Sequence, residues 1–273
     1  MKKCTYELNG QVAVVTGANG VLISEMAKAL AAHGAKVALL SRNKEKLANL
    51  ESTIREAGGE ALAIAGDVTS LESLQSAAAQ VKDAWGRVDL LVNGAGGNSP
   101  DATAMPGGKT FFELPSEGLK FVTDLNLIGT VLPCQVFGQI MANQKSGSII
   151  NISSMSGFKP LTRVMGYSAA KAAINNFTEW LSVYMATEVD ASIRVNAIAP
   201  GFFLTEQNRF LLTNEDGSLT ARGETIISQT PQRKFGEPED LLSTLIWMAS
   251  PGASFVTGIV VPVDGGFNAF GGV

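Results

Sequence analysis

The stretch VAVVTGANGVLISEMAKALAAHG, residues 12–34, decides the fold. Residues 12–16 (VAVVT) are a short β-branched run that meets Gly17, and residues 24–33 then read as a helix ending at Gly34. A strand, a glycine turn and a helix follow one another, and the same alternation continues to the end of the chain. Strands are expected at 36–40, 61–65, 88–92, 147–153, 192–198 and 256–263. Helices are expected at 44–57, from about 69 to 85, at 119–143 with a possible kink at Pro133, at 167–187, and from Pro238 to about 249. Thr69 with Glu72 has the spacing of a capping box. The run at 88–92 (VDLLV) does not alternate, as expected for a strand buried on both faces. Residues 98–117 read as a loop or lid-like insertion, and 202–229 as a second, mixed and polar segment. No repeat or change of composition divides the chain. The expectation is an α/β fold: residues 1–273 as one doubly wound, Rossmann-type domain with a seven-stranded, mostly parallel sheet.

Composition narrows the function. The chain has 273 residues, of which 45% are hydrophobic and 17% charged, enough apolar surface for a sizeable core. A net charge of −4 gives no basic field for nucleic acid or an anionic membrane. Cys4 and Cys134 lie far apart and in no C-x-x-C, so neither a disulfide framework nor a metal site is indicated. The single histidine, His33, stands beside a glycine at a helix end, where solvation is a better reading than catalysis. The N-terminus lacks the apolar run of a signal peptide, and no uninterrupted apolar stretch approaches eighteen residues. A soluble, cytoplasmic protein is expected.

In a doubly wound sheet, ligands bind beyond the carboxyl ends of the strands, where strand order reverses. Gly17 permits a tight turn there, and Gly20 lets backbone amides approach a pyrophosphate at the helix N-terminus. Asn19, Val21 and Leu22 share that turn. Asp67-Val68, Asn93-Gly94-Ala95-Gly96 and Pro200-Gly201 follow later strands and point to the same crevice. At the end of the second strand an acidic residue would bind the ribose hydroxyls of NAD. This chain has Ser41-Arg42-Asn43 instead, which suits a 2′-phosphate and favours NADP(H), with NAD(H) as the alternative. In GYSAAKAAINNF, Tyr167 and Lys171 are four residues apart, on one face of the expected helix, and Ser154 lies thirteen positions before the tyrosine. A nearby cation favours a phenolate and would bring the tyrosine pKa toward the working range of a general acid–base. Alone, Y-x-x-x-K also occurs on surface helices.

Together these pieces resemble the short-chain dehydrogenase/reductase family over essentially the whole chain. They are TGANG, Asp67-Val68, NGAG at 93–96, Asn126 in DLNLIGT, NISS ending at Ser154, Tyr167-x-x-x-Lys171, and APG at 199–201. The resemblance implies that Tyr167 exchanges a proton with the substrate oxygen and that Ser154 positions that oxygen. Lys171 would lower the tyrosine pKa and hold the nicotinamide ribose, while Asn126 holds a water linking Lys171 to solvent. It also implies a homotetramer assembled through long helices and the last strand, so 167–187 and 256–263 are candidate interfaces. The chain departs from the family pattern at three places. The family has glycines at 17, 21 and 23, where this chain has Gly17, Val21 and Ile23; Gly94 replaces a common asparagine; and 98–117 is longer than usual.

Those departures, with KTFFELPSEG, FFLTEQNRFLL and the C-terminal PVDGGFNAFGGV, resemble a branch of sugar-acid reductases that interconvert D-fructuronate and D-mannonate. Gluconate 5-dehydrogenases or other polyol oxidoreductases are the next reading, then 3-oxoacyl thioester reductases. A non-catalytic cofactor sensor is the alternative of another class. A sugar acid needs partners for a carboxylate and several hydroxyls. Asn98, Arg163, Gln207, Asn208 and Arg209 come from segments expected at the mouth of the site, with Arg163 or Arg209 the better carboxylate anchor. Lys109 and Lys159 are weaker candidates, and Met155 and Met165 line either the pocket wall or the core.

Overall fold

A computed structural model describes residues 5–105, 107–206 and 208–272. Gln207 and Cys4 therefore lie outside the described residues, as do the first three residues of the N-terminal segment. The sheet has seven strands: β1 (Val12–Thr16), β2 (Lys36–Ser41), β3 (Glu60–Ala65), β4 (Leu90–Asn93), β5 (Gly147–Ile152), β6 (Ile193–Pro200) and β7 (Val260–Val263). Their order is β3-β2-β1-β4-β5-β6-β7, and every neighbouring pair is parallel. The order reverses between β1 and β4, so the crevice for a ligand opens there.

β1 is buried along its whole length, and its side chains feed two cores in alternation. Ala13 and Val15 pack on one face with Met26 and Leu30 of α1 (Val21–Ala32). Val12 and Val14 face the other side with Leu74 of α3 (Leu71–Trp85) and Phe137. A strand covered by helices on both faces has no reason to alternate polar with apolar residues.

Local chemistry sets the helix ends. Asn43 caps α2 (Lys44–Glu56), its side chain accepting from the Lys46 amide at 3.0 Å. At α3 the cap is Ser70, which accepts from the Ser73 amide, and not the expected Thr69. The Thr69 hydroxyl instead donates to the Asp67 carboxylate at 2.7 Å. Gly86, with φ +76°, closes the helix in the left-handed region that glycine tolerates. His33 ends α1, its Nδ1 2.8 Å from the Ala29 carbonyl, as expected for a helix terminus.

The helix expected at 119–143 is longer and compound. α4 (Ser116–Thr123) runs through a π-helical stretch, Asp124–Ile128, into α5 (Gly129–Gln144), which continues through Pro133. The whole of Ser116–Gln144 is long and apolar enough to cross a membrane by length and composition. Cys134, Phe137 and Met141 bury one side of it against β4 and β5, the ordinary arrangement of a core helix. α6 (Met165–Tyr184) crosses the same face and ends in a second π-helical turn, Met185–Val189. The segment at 98–117 holds two short 3-10 turns, and 202–229 holds α7 (Arg209–Leu212) and α8 (Ala221–Gln229). α9 (Leu242–Ala249) follows a 3-10 turn that opens at Pro238.

Candidate active site

Strand register brings the glycine turns together. Thr16 at the end of β1 is level with Leu40 of β2 and Asn93 of β4, and Asn93 is level with Asn151 of β5. Gly17 has φ +69°, and a Cβ there would lie 2.6 Å from the backbone of Ala95, so the β1 and β4 turns touch. The buried Thr16 hydroxyl joins them further, accepting from the Gly94 amide at 3.2 Å. At the far side, a Cβ on Gly201 would lie 2.6 Å from Asp264.

The first turn fits a dinucleotide pyrophosphate. α1 begins at Gly20 with no side-chain cap and no acidic residue in its first turn, so its amides remain available to an anion. Asn19 crosses to the neighbouring strand, its Nδ2 donating to Ser41 Oγ at 3.0 Å and to the Asn43 carbonyl at 2.9 Å. Arg42 is exposed beside Asp67. Burial raises the Asp67 pKa, but hydrogen bonds from Thr69 and the charge of Arg42 outweigh it and hold the carboxyl below its ordinary range. Val21 and Leu22 open α1, and Val68 is buried under the β3 turn against Gly129.

Ser154, Tyr167 and Lys171 converge at the end of β5 and the start of α6. Lys171 lies on the same face of α6 as Tyr167, its Nζ 5.5 Å from the phenol ring centroid. It is 4% exposed, and its Nζ donates to the Ile152 carbonyl at 2.8 Å. Burial pulls this ammonium down to a pKa of about 7. Tyr167 is half-buried and hydrogen-bonded to Ser154. Burial raises the phenol pKa, and the bond to Ser154 only partly offsets it. The net shift is therefore upward, opposite to the lowering expected from Lys171, whose ammonium lies over the ring and donates to the Ile152 carbonyl. Asn126 is fully buried in the π-helical stretch. Its Nδ2 donates to the Gly97 and Val122 carbonyls at 2.7 and 2.8 Å, and its Oδ1 accepts from the Gly97 amide. That clamp presses the β4 turn onto the lysine, since a Cβ on Gly96 would lie 3.3 Å from Lys171 Nζ.

Beneath the turns runs a buried polar chain. Asn93 donates to Asn151 Oδ1 at 2.9 Å, and Asn151 donates to Thr178 of α6 at 2.9 Å. Asn93 therefore faces into the protein. Cys134 joins the same chain, and burial pushes its thiol up to about 12.

The candidate substrate residues divide. Asn98 is exposed and its amide is taken by Thr103 at 2.7 Å. Asn208 folds back on its own loop, accepting from the Thr205 amide and donating to the Phe203 carbonyl. Both side chains are engaged in local turn structure, as asparagine favours. Lys109 pairs with Asp101, and Lys159 donates to the Phe270 carbonyl. Met155 is core and Met165 is exposed. Arg209 is exposed at the start of α7. Arg163 is half-buried, four residues before Tyr167, with its carbonyl held by the Ala104 amide. Arg222, in the first turn of α8, lies within reach of its charge: burial first, then the charge of Arg163, lowers the Arg222 pKa. Among the described residues neither arginine forms an ion pair. Arg222 was not anticipated from sequence, because nothing in SLTARGET ties it to residue 163.

Comparison with known proteins agrees with this geometry. A solved protein from Haemophilus influenzae, provisionally named a D-mannonate oxidoreductase and holding NAD, is 43% identical, with a TM-score of 0.92 over 98% of each chain. The uncharacterised oxidoreductase UxuB of Bacillus subtilis (strain 168) is 50% identical across 97% of this chain and 98% of its own. A gluconate 5-dehydrogenase from Burkholderia cenocepacia J2315, solved with NADP and tartrate, is 27% identical, with a TM-score of 0.86 over 97% and 98% of the two chains. Residues 11–216 match the short chain dehydrogenase family itself, from the edge of β1 to beyond β6. The chain therefore belongs to the short chain dehydrogenases, oxidoreductases that act on alcohol groups with a nicotinamide dinucleotide.

Proposed function

We propose that the protein interconverts a keto sugar acid and its hydroxy acid, D-fructuronate and D-mannonate, at the Ser154–Tyr167–Lys171 cluster. The hydrogen-bonded Ser154–Tyr167 pair above the buried Lys171 ammonium is the observation that carries the reaction. When bound, the dinucleotide supplies or takes up the hydride. The turns at Gly17, Gly20, Gly94, Ala95, Pro200 and Gly201 would hold it, with Ser41 and Arg42 at the adenosine ribose. Tyr167 delivers a proton to the substrate oxygen in reduction and takes it back in oxidation, and Ser154 aligns that oxygen. Lys171 replenishes the tyrosine proton. Asn126, whose carbonyl accepts from the Thr130 hydroxyl at 2.8 Å, would hold the water linking Lys171 to solvent.

The sugar-acid reading rests on near full-length likeness to the Haemophilus protein and on the two unpaired guanidinium groups of Arg163 and Arg222. Guanidinium groups without counter-ions suit a carboxylate, and the 98–117 and 202–229 segments form the mouth that presents them. Gluconate 5-dehydrogenase is the second reading, favoured by the Burkholderia structure. For the cofactor, Arg42 supports NADP(H), while the nearby Asp67 and the NAD in the Haemophilus relative support NAD(H).

The test is NADPH and NADH oxidation against D-fructuronate, 5-ketogluconate and a 3-oxoacyl thioester. Turnover with D-fructuronate at least tenfold above the others is expected; preference for either other substrate rejects the assignment. Tyr167→Phe should lower kcat by about 10²–10⁴-fold with cofactor affinity unchanged. Wild-type turnover in that variant removes the tyrosine from the chemistry, and absence of turnover with any carbonyl favours a sensor.

A further inference from the structure

Lys171 is gripped at both ends by two successive residues of the β5 terminus. Its Nζ donates to the Ile152 carbonyl at 2.8 Å. Its own main-chain carbonyl lies 3.3 Å from the Ser153 hydroxyl, whose nearer acceptor is Asn175 Oδ1. Ser153 is 2% exposed, and Asn175 is one helical turn beyond Lys171. Gly157 closes the third side. A Cβ there would lie 2.8 Å from both Asn175 Nδ2 and the Lys171 carbonyl, so the junction admits only hydrogen at this position. The residue after Ser153 is Ser154, and α6 carries both Tyr167 and Lys171. The two halves of the site are thus pinned to each other here, in addition to the Asn151–Thr178 bond deeper along the same strand and helix.

We infer that Ser153 and Asn175 are positioning residues, fixing the register of α6 on the end of β5 so that Ser154 and Tyr167 address the same oxygen. The inference rests on the proposed roles of Ser154, Tyr167 and Lys171. A purely adhesive contact would not need these groups. A buried neutral hydrogen bond contributes only about 1 kcal/mol net, whereas apolar groups such as Ile174 and Leu181 on the same helix add to stability without fixing its register. A polar pair differs from an apolar one in being satisfied at one register only. A shift of about 1 Å in reacting groups costs up to roughly a hundredfold in rate, so a lock at this point has a catalytic consequence.

The test uses full-length Asn175→Ala, Asn175→Asp and Ser153→Ala, with kcat, substrate KM, cofactor Kd, Tm and pH profiles. Asn175→Ala should lose about ten- to a hundredfold in kcat, with KM and Kd within about twofold of wild type and Tm lowered by only about 2–4 °C. Asn175→Asp keeps the oxygen that accepts from Ser153 and should recover most of that loss. It should also move the ionisation of Lys171 to higher pH, because a carboxylate favours the ammonium. Wild-type kcat in Asn175→Ala, or a loss that Asn175→Asp does not repair, overturns the inference. Should Asn175→Ala not fold, Ser153→Ala removes a single oxygen and must show the same selective loss of kcat; unchanged turnover there overturns it equally. Tyr167→Phe assayed alongside separates the two levels. An active Tyr167→Phe rejects the underlying mechanism, whereas an inactive one with active Asn175→Ala rejects the lock alone.

Discussion

Lys171 is an ammonium with one carbonyl for hydrogen-bond company and almost no water. Its folded pKa of about 7 lies below the unfolded value of 10.5, so between those limits the unfolded chain binds more protons than the folded one. Stability contributed at this position therefore rises with pH from about 7 to 10.5, and the full cost of burying the charge is felt below 7. Lys171→Met should abolish turnover yet raise Tm by a few degrees at pH 6, with the gain shrinking by pH 10. An equal gain at both pH values would show that the charge is not what costs. The Tyr–Lys pairing was legible because a four-residue spacing fixes a shared helical face. The direction of the tyrosine shift was not, since it depends on burial that no local pattern encodes. Arg42 makes a second prediction at this scale. If it meets a 2′-phosphate, Arg42→Ala should raise the KM for NADPH about ten- to a hundredfold and leave NADH unchanged, as expected for one charge-assisted contact. Parallel changes for both cofactors would remove Arg42 from the phosphate site.

Two departures from the family pattern become one exchange in the first helix and the β4 turn. Where the family has glycine at 23 and a side chain at 94, this chain has Ile23 and Gly94. A Cβ on Gly94 would lie 2.6–2.8 Å from three carbons of Ile23. The bulk has moved from the strand end to the helix, and the volume is filled from the other side. Gly94→Ala should cost about 1–3 kcal/mol by overpacking. Combined with Ile23→Ala, that cost should fall by at least about 1 kcal/mol in a double-mutant cycle; simple additivity of the two changes would dismiss the exchange. Strand positions were readable because buried parallel strands form continuous apolar runs bounded by glycine, and β1 has the expected bounds. The last strand was read too long. It begins at Val260, since Gly258 takes φ +78° and packs where a Cβ would lie 2.8 Å from Ser182 Oγ. The π-helical stretch at Asp124–Ile128 left no trace in the apolar spacing, yet it places Asn126 against the β4 turn. The two candidate substrate asparagines are engaged for a related reason: a polar side chain in a loop first satisfies groups of that loop, the Thr103 hydroxyl for Asn98 and backbone for Asn208.

At the level of the whole molecule, the exposed side of α6 carries Phe177, Trp180 and Tyr184 in a stacked row, with centroid separations of 6.4 and 5.2 Å. Trp180 is 57% and Val183 62% exposed. Large apolar groups grouped on one face favour burial against another copy, in keeping with the homotetramer proposed by resemblance. Trp180→Glu should reduce the mass measured by light scattering to that of a smaller assembly; an unchanged mass would place the interface elsewhere. The sheet order has a consequence for synthesis. β1 lies inside the sheet, third of seven strands, and its partner β4 follows Asp89, whose carboxylate accepts from the Val12 amide across 77 residues. At roughly 5–20 residues per second, a ribosome needs about 4 to 15 s to make that stretch. For about the last third of that interval, after β3 is complete at Ala65 and before β4 begins at Leu90, a nascent three-stranded half-sheet presents the bare, apolar edge of β1 that β4 will cover.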